Sequence, residues 1–176
     1  MRRALLLTAV VVCAASLLTG CGPRVSSGVV GMSVDDSGTP VIVLQNCHGD
    51  IAQLEFYDRT RPRMEETVPA TVVMYVNPRP AKAVVEIPIL TGGDGWEVDR
   101  AVPALRADGK YVIEAWGKRH EWSGHGTEFT LADLKGLKPG QVRHNSRPGS
   151  ATPPYDATTT EYKTTPMAEF ITDECP

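Results

Sequence analysis

The chain is a succession of short apolar runs separated by turn-forming segments, and no stretch after the first twenty residues sustains helical periodicity. Runs rich in β-branched residues occupy positions 28–34, 40–46, 70–76 and 84–90. Within a further run, Ala52, Leu54 and Phe56 alternate with polar residues, which is the period of two expected of a strand. Short strands at this spacing predict an all-β domain of about seven to eight strands, beginning with a hairpin that turns at residues 35–39. Pro88 predicts that its strand is either an edge strand or a bulged one.

A short passage before the strand at 112–116 indicates how the strands are arranged. Leu105, Gly109 and Tyr111 resemble the tyrosine corner of immunoglobulin-like and fibronectin-like sandwiches. Ile113 stands where an antibody domain has its second cysteine, so the resemblance is to the sandwich architecture and not to an antibody domain. The resemblance implies a single immunoglobulin-like or fibronectin-like β-sandwich, which we expect over residues 29–144. One helical turn is predicted at residues 132–137.

The N-terminus has the parts of a secretory signal. Arg2 and Arg3 precede an apolar stretch at residues 4–18, which is too short and too early for an ordinary membrane span. Residues 18–21, Leu-Thr-Gly-Cys, resemble the lipobox of bacterial lipoproteins. This resemblance implies that Cys21 receives a diacylglycerol thioether and becomes the first residue after cleavage. Residues 1–20 are then a lipoprotein signal peptide and residues 21–28 a short membrane tether. An ordinary signal peptide, cut elsewhere and leaving Cys21 as a structural thiol, is the alternative.

The charge of the chain excludes one class of partner. Loss of Arg2 and Arg3 with the signal reduces the 18 basic residues to 16, against 21 acidic ones, so the mature net charge is −5. An acidic protein has no electrostatic footprint for nucleic acid, and anionic headgroups should repel it weakly. We therefore expect attachment to the outer face of the cytoplasmic membrane through the N-terminal lipid, whose buried CH₂ groups each contribute about 0.8 kcal/mol.

Two cysteines remain for a disulfide in an oxidising compartment. Of the four cysteines, Cys13 lies in the signal and Cys21 would carry the lipid, which leaves Cys47 and Cys175. Their bond would close a loop of nearly the whole domain and contribute about 4 to 5 kcal/mol on the chain-entropy estimate. The alternatives are two free thiols or a metal pair, although the cysteines with His48 lack the paired local spacing of a structural zinc site.

The C-terminal residues 145–176 differ from the rest in composition. They are rich in Thr and Pro and have little to bury. We predict an extended segment that crosses the surface so that Phe170, Ile171 and Cys175 dock. A glycosylated stalk is the alternative.

One short segment, residues 116–126, concentrates the residues suited to chemistry. Predicted as a loop, it offers a candidate recognition surface made of Arg119, His120, Trp122 and His125, with indole faces to pack on a ligand and polar groups to orient it. A metal site of His120, Glu121 and His125 is a second hypothesis, but the pattern of a zinc-binding helix is missing. No catalytic residue, metal ligand or cofactor is predicted.

Structural roles compete with recognition in this segment. Trp116 is expected to belong to the core, and Trp122 to cover one end of the sandwich. Ser123 lies before a glycine, but Glu121 breaks the Gly-x-Ser-x-Gly nucleophile pattern, so Ser123 is expected to be a turn residue.

The chain as a whole resembles the small secreted lipoproteins of actinobacteria, through its Arg-, Ala- and Val-rich signal, its lipobox and residues 31–44. That resemblance implies neither an activity nor catalytic residues. We expect a non-enzymatic, lipid-anchored envelope protein that binds an envelope protein or a cell-wall glycan. The alternatives are a metal-assisted hydrolase using His120, Glu121 and His125, and a purely structural assembly factor.

Overall fold

The computed structural model describes residues 26–60, 71–120, 123–145 and 161–173 of the chain. The fold is predominantly β, as predicted. The strands are β1 Ser26–Val34, β2 Pro40–Asn46, β3 Ile51–Asp58, β4 Thr71–Val76, β5 Ala83–Pro88, β6 Glu97–Val98, β7 Lys110–Gly117, β8 Ser123–Thr130, β9 Gln141–Asn145 and β10 Tyr162–Pro166. The helices are α1 Leu131–Gly136 and α2 Met167–Asp173.

The strands form one mixed sheet that curls because β1 has three partners. Eight strands follow one another in the order β10-β9-β1-β8-β7-β3-β4-β6, while β2 pairs with β1 and β5 pairs with β2. The pairing of β1 with β8 is parallel, and the other pairings are antiparallel. Among the described strands β5 pairs with β2 alone, which confirms the edge position predicted from Pro88.

The first hairpin is formed as predicted. The β1–β2 register runs from Gly28 opposite Asn46 to Val34 opposite Pro40. Asp35 closes the turn, because its Oδ1 accepts hydrogen bonds from the backbone N–H groups of Ser37 and Thr39 at 2.8 Å. The Ser37 hydroxyl also donates to this oxygen, and its hydrogen bond contributes most to lowering the pKa of Asp35. The two backbone hydrogen bonds lower it further.

The main core lies inside the curl and includes residues from most of the strands. The period of two in β3 is confirmed: Leu54 and Phe56 are fully buried, together with residues of β1, β2, β4, β5, β7 and β8. The rings of Phe56, Tyr111 and Phe129 pack together, with centroids 5.4 to 6.1 Å apart. One continuous apolar cluster therefore holds strands that are far apart in the sheet order.

The tyrosine corner has the predicted local geometry. Tyr111 begins the buried part of β7, and its Oη accepts a hydrogen bond from the backbone N–H of Arg106 at 2.7 Å. Gly109 makes this contact possible, since a Cβ at that position would lie 2.2 Å from the Tyr111 hydroxyl oxygen. The corner fixes the chain as it enters β7.

Helix α2 packs on the outer side of β1 and β2. Phe170 is fully buried in a second cluster with Val29, Val43 and Val142, whereas the Ile171 side chain is 43% exposed and does not dock as expected. The reason is helical geometry, because adjacent residues of α2 point in different directions. The backbone of Ile171 still contributes, since its carbonyl accepts a hydrogen bond from Gln45 Nε2 at 2.6 Å.

Two details of secondary structure differ from the expectations. Residues 162–166 form a strand, but residues 167–173 form a short helix instead of continuing the predicted extended segment. Strand β8 begins at Ser123, so Ser123 is a strand residue and not part of a turn. The helical turn predicted near residue 132 is confirmed as α1, which Thr130 caps through reciprocal hydrogen bonds with Asp133. No helix in the described ranges is long and apolar enough to cross a membrane.

Candidate functional site

The structure describes three of the four residues of the predicted recognition surface. Arg119 and His120 are exposed in the turn between β7 and β8, and His120 has a positive φ of 58°. His125 is half-buried inside β8, where it pairs with Val29 of β1. Trp122 lies outside the described residues. The turn therefore presents Arg119 and His120 together, while His125 belongs to the sheet.

His125 was expected in a loop, but it lies within β8, and the glycines on either side of it allow close packing. A Cβ at Gly126 would lie 2.5 Å from the carbonyl oxygen of Ile113, and one at Gly124 would lie 2.9 Å from the Cβ of Ala115. Glycine inside a strand commonly marks such close approach of a neighbour. The two glycines are thus compatible with a long β8.

Trp116 is not the core residue that the sequence suggested. It lies on the opposite face of β7 from the buried Ala115, and its ring is half-buried. The Trp116 and His120 rings pack at 5.2 Å between centroids, with a tilt of 34°. Within the described part of the chain, Trp116 Nε1 is buried and has no hydrogen-bond partner. Trp116 and the turn residue His120 therefore form one aromatic pair.

A metal site finds no support among the described residues, where no group of three His, Cys, Asp or Glu side chains could hold an ion. Glu121 lies outside them, so the hypothesis of a site formed by His120, Glu121 and His125 stays a prediction. The same holds for the anchor at Cys21 and for the disulfide, because Cys175 is also outside the described residues. Cys47 is buried at the end of β2.

A hydrogen-bonded polar arrangement lies on the outer face of β3, to which the sequence pattern assigned no function. Gln53, Glu55 and Tyr57 alternate with core residues and share this face. Gln53 Nε2 donates to Glu55 Oε1 at 2.7 Å, and Tyr57 Oη donates to Glu55 Oε2. Glu55 is only 8% exposed. A carboxylate so buried is costly unless hydrogen bonds satisfy it, and both its oxygens are bonded here.

Strand pairing extends this arrangement onto β7. Glu114 stands directly opposite Glu55, and Trp116 directly opposite Gln53. Glu114 also lies close to Gly126, where an added Cβ would meet its Cγ at 3.2 Å. Like charges directly opposite one another destabilise a sheet. We call Gln53, Glu55, Tyr57, Glu114 and Trp116 the polar face.

The polar face was missed because its components are unremarkable in the sequence. Polar residues alternating with apolar ones are typical of any strand with one solvent-facing side. The opposition of Glu55 and Glu114 depends on the β3–β7 register, which joins residues 59 positions apart. The one available signal was the buried period of two in β3, which places its polar residues on one side.

A small cavity lies at the end of the molecule that contains the loops after β2 and β4. Its volume is about 100 Å³, and Asn46, Asn77, Arg79, Asp94 and Trp96 contribute to its lining. The two amides already have internal partners: Asn46 Oδ1 accepts from Gly49 N–H at 3.0 Å, and Asn77 Oδ1 accepts from Arg79 N–H at 2.9 Å. These groups stabilise the loops, and the cavity is too small for a drug-sized ligand.

Comparison with known proteins adds no family. No family model, no curated protein and no solved structure matches the chain. Functional reasoning therefore rests on the residues and their geometry.

Proposed function

We propose that the protein is a lipid-anchored, extracytoplasmic binding module without enzymatic activity, held at the outer face of the cytoplasmic membrane by Cys21. The lipobox resemblance supports the anchor. The polar face is the observation that supports binding. It places the hydrogen-bonded carboxylate of Glu55 opposite the carboxylate of Glu114. A sheet does not need such a pair for its own stability.

The chemistry of the polar face favours a hydroxyl-rich ligand, and we propose a cell-wall glycan strand. Carboxylates accept hydrogen bonds, and an amide both donates and accepts, which suits hydroxyl groups. Tyr57 and Trp116 add rings that combine an apolar surface with a polar atom. From Gln53 to Tyr57 the face extends about 13 Å along β3, the length of a short run of sugar units.

Cosedimentation with purified peptidoglycan tests this function. We expect the unmodified protein to sediment with it, and the double variant Gln53→Ala/Glu114→Ala to bind at least about tenfold more weakly, since each lost hydrogen bond contributes roughly 1 kcal/mol. Glu86→Ala is the matched control, because Glu86 is exposed on β5. Equal binding by all three proteins would contradict the proposed surface, and release of soluble fragments from the glycan would contradict the absence of enzymatic activity.

We also propose that the curled sheet is an immunoglobulin-like or fibronectin-like sandwich. The pairing β1-β2-β5 corresponds to one sheet of such a fold, and β8-β7-β3-β4 corresponds to the other. The parallel pairing of β1 with β8 and the tyrosine corner at Tyr111 support the same assignment. An experimental structure in which β5 pairs with β4 instead of β2 would refute it.

A further inference from the structure

The small cavity beside the loops after β2 and β4 has an apolar part that strand pairing builds. Leu44 of β2 stands opposite Val85 of β5, and both residues line the cavity. Trp96, which is buried immediately before β6, lines it as well. The volume of about 100 Å³ is smaller than the roughly 150 Å³ that holds benzene, so the cavity has room for a group of about four non-hydrogen atoms.

A nearly buried amide at this cavity has an unused donor. Asn77 is 9% exposed, and its Oδ1 accepts a hydrogen bond from the backbone N–H of Arg79 at 2.9 Å. Its Nδ2 makes no hydrogen bond to any residue that the structure describes. A Cβ on Gly95 would lie 3.3 Å from Nδ2, so this donor is close to the loop at residues 92–95. Enclosed polar groups are almost always paired, and a ligand oxygen would satisfy this one.

Two residues of opposite charge also line the cavity. Arg79 and Asp94 are both exposed, and within the described ranges neither forms an ion pair. Asp94 has a positive φ of 51°, which is uncommon for a residue with a Cβ. Reciprocal backbone hydrogen bonds of 2.8 and 3.0 Å between Gly93 and Trp96 hold the loop in place. The fold therefore keeps one carboxylate and one guanidinium beside the same small cavity.

This combination suits a ligand that carries both charges on a small apolar framework. A guanidinium matches the geometry of a carboxylate, and an amide N–H can donate to the same group. An aspartate accepts hydrogen bonds from an ammonium group. The apolar part of the cavity has room for an α-carbon and a methyl group.

We propose that the cavity binds a small zwitterionic α-amino acid, of the size of glycine or alanine. Arg79 and the Asn77 Nδ2 group hold its carboxylate, and Asp94 holds its ammonium group. The end of a peptide is a poorer ligand, because its terminal residue carries only one of the two charges. The site is separate from the polar face and does not depend on the anchor at Cys21.

A titration of the purified ¹⁵N-labelled protein with alanine, followed by NMR, tests the site. The side-chain amide signal of Asn77 and the indole N–H signal of Trp96 should shift and saturate. The indole N–H signal of Trp116, on the outer face of β7, should not move. The absence of saturable shifts at Asn77 and Trp96 would overturn the proposal.

Ligand analogues and charge-removing variants test the contacts in the same titration. N-acetylalanine and alaninamide, which each lack one charge, should bind at least about tenfold more weakly than alanine, the effect of losing one hydrogen bond to a charged group. Arg79→Gln and Asp94→Asn should weaken alanine binding to the same degree, and asparagine tolerates the positive φ at position 94. Equal binding of either analogue, or unchanged affinity in either variant, would refute the zwitterion site.

Matched variants away from the cavity complete the experiment. Arg106→Gln and Asp36→Asn remove the same charges from exposed positions that do not line it, and they should leave alanine affinity within about twofold because distant surface charges are screened. Equal losses in the cavity variants and in these controls would contradict the assignment. Gln53→Ala/Glu114→Ala should bind alanine normally, so failure of the polar face is distinguishable from failure of this site.

Discussion

Replacing Tyr111 by Phe tests whether the tyrosine corner stabilises the fold. The change removes one hydroxyl and keeps a ring that is 3% exposed and packed against Phe56 and Phe129. The lost hydrogen bond, 2.7 Å long, comes from the Arg106 backbone N–H. Because Arg106 is exposed, water can replace the hydroxyl, and we expect the free energy of unfolding to fall by about 1 kcal/mol. For a domain of about 150 residues this lowers Tm by about 2 to 4 °C.

Guanidinium unfolding of the Cys21→Ser protein measures this cost, with an unchanged m-value as evidence that the loss is one of stability. Tyr75→Phe is the comparison: its Oη donates to the carbonyl of Ile89 at 2.6 Å in a fully buried site. Burial, assisted by the charge of Asp99, raises the pKa of Tyr75, so this hydroxyl remains a donor. Without water access its loss should cost about 1 to 3 kcal/mol. If Tyr111→Phe leaves the free energy of unfolding unchanged, the hydrogen bond of the tyrosine corner does not stabilise the fold and our reasoning about it is wrong.

Three further perturbations probe other parts of the fold. Phe170→Ala should cost about 3 kcal/mol and speed amide exchange across residues 162–173, whereas Ile171→Ala, at an exposed position, should change exchange little. Gly126→Ala should cost about 1 to 3 kcal/mol by denaturant unfolding, because its Cβ would press on a carbonyl oxygen of β7; a neutral result would mean that β8 shifts freely. Burial alone would raise the pKa of Asp99, but hydrogen bonds from Arg100 and from Met74 N–H outweigh it and hold the pKa below 3.8. The stabilisation by Asp99 is therefore complete above pH 3.8 and is lost as pH falls through the lower folded value. The protection of the Met74 N–H from exchange, relative to its intrinsic rate at each pH, should then decrease, and in Asp99→Asn it should not depend on this titration.

Local patterns were enough to locate most strands. The first hairpin, the alternation in β3, the edge strand ending at Pro88 and the Tyr111 corner all depend on residues close together in the sequence. They were predicted because burial on one face imposes a period of two and because turns need particular residues. The Thr-rich segment at 162–166 was harder, since it forms a strand only by pairing with β9.

The candidate surfaces could not be predicted in the same way. Residues 116–126 were predicted to form a loop, but Gly124 and Gly126 lie in β8, where neighbouring atoms leave no room for a Cβ. Trp116 was expected in the core as a residue of its strand, yet its position in the alternation of β7 places it outside.

The sequence by itself determined the class of fold, the positions of most strands and turns, and the features expected of an anchored, secreted protein. Only the tertiary structure decided that Glu55 stands opposite Glu114 and that the rings of Trp116 and His120 pack together. The reason is physical: periodicity and turn preferences act between near neighbours, whereas strand order and register are decided by which distant apolar faces can be buried together.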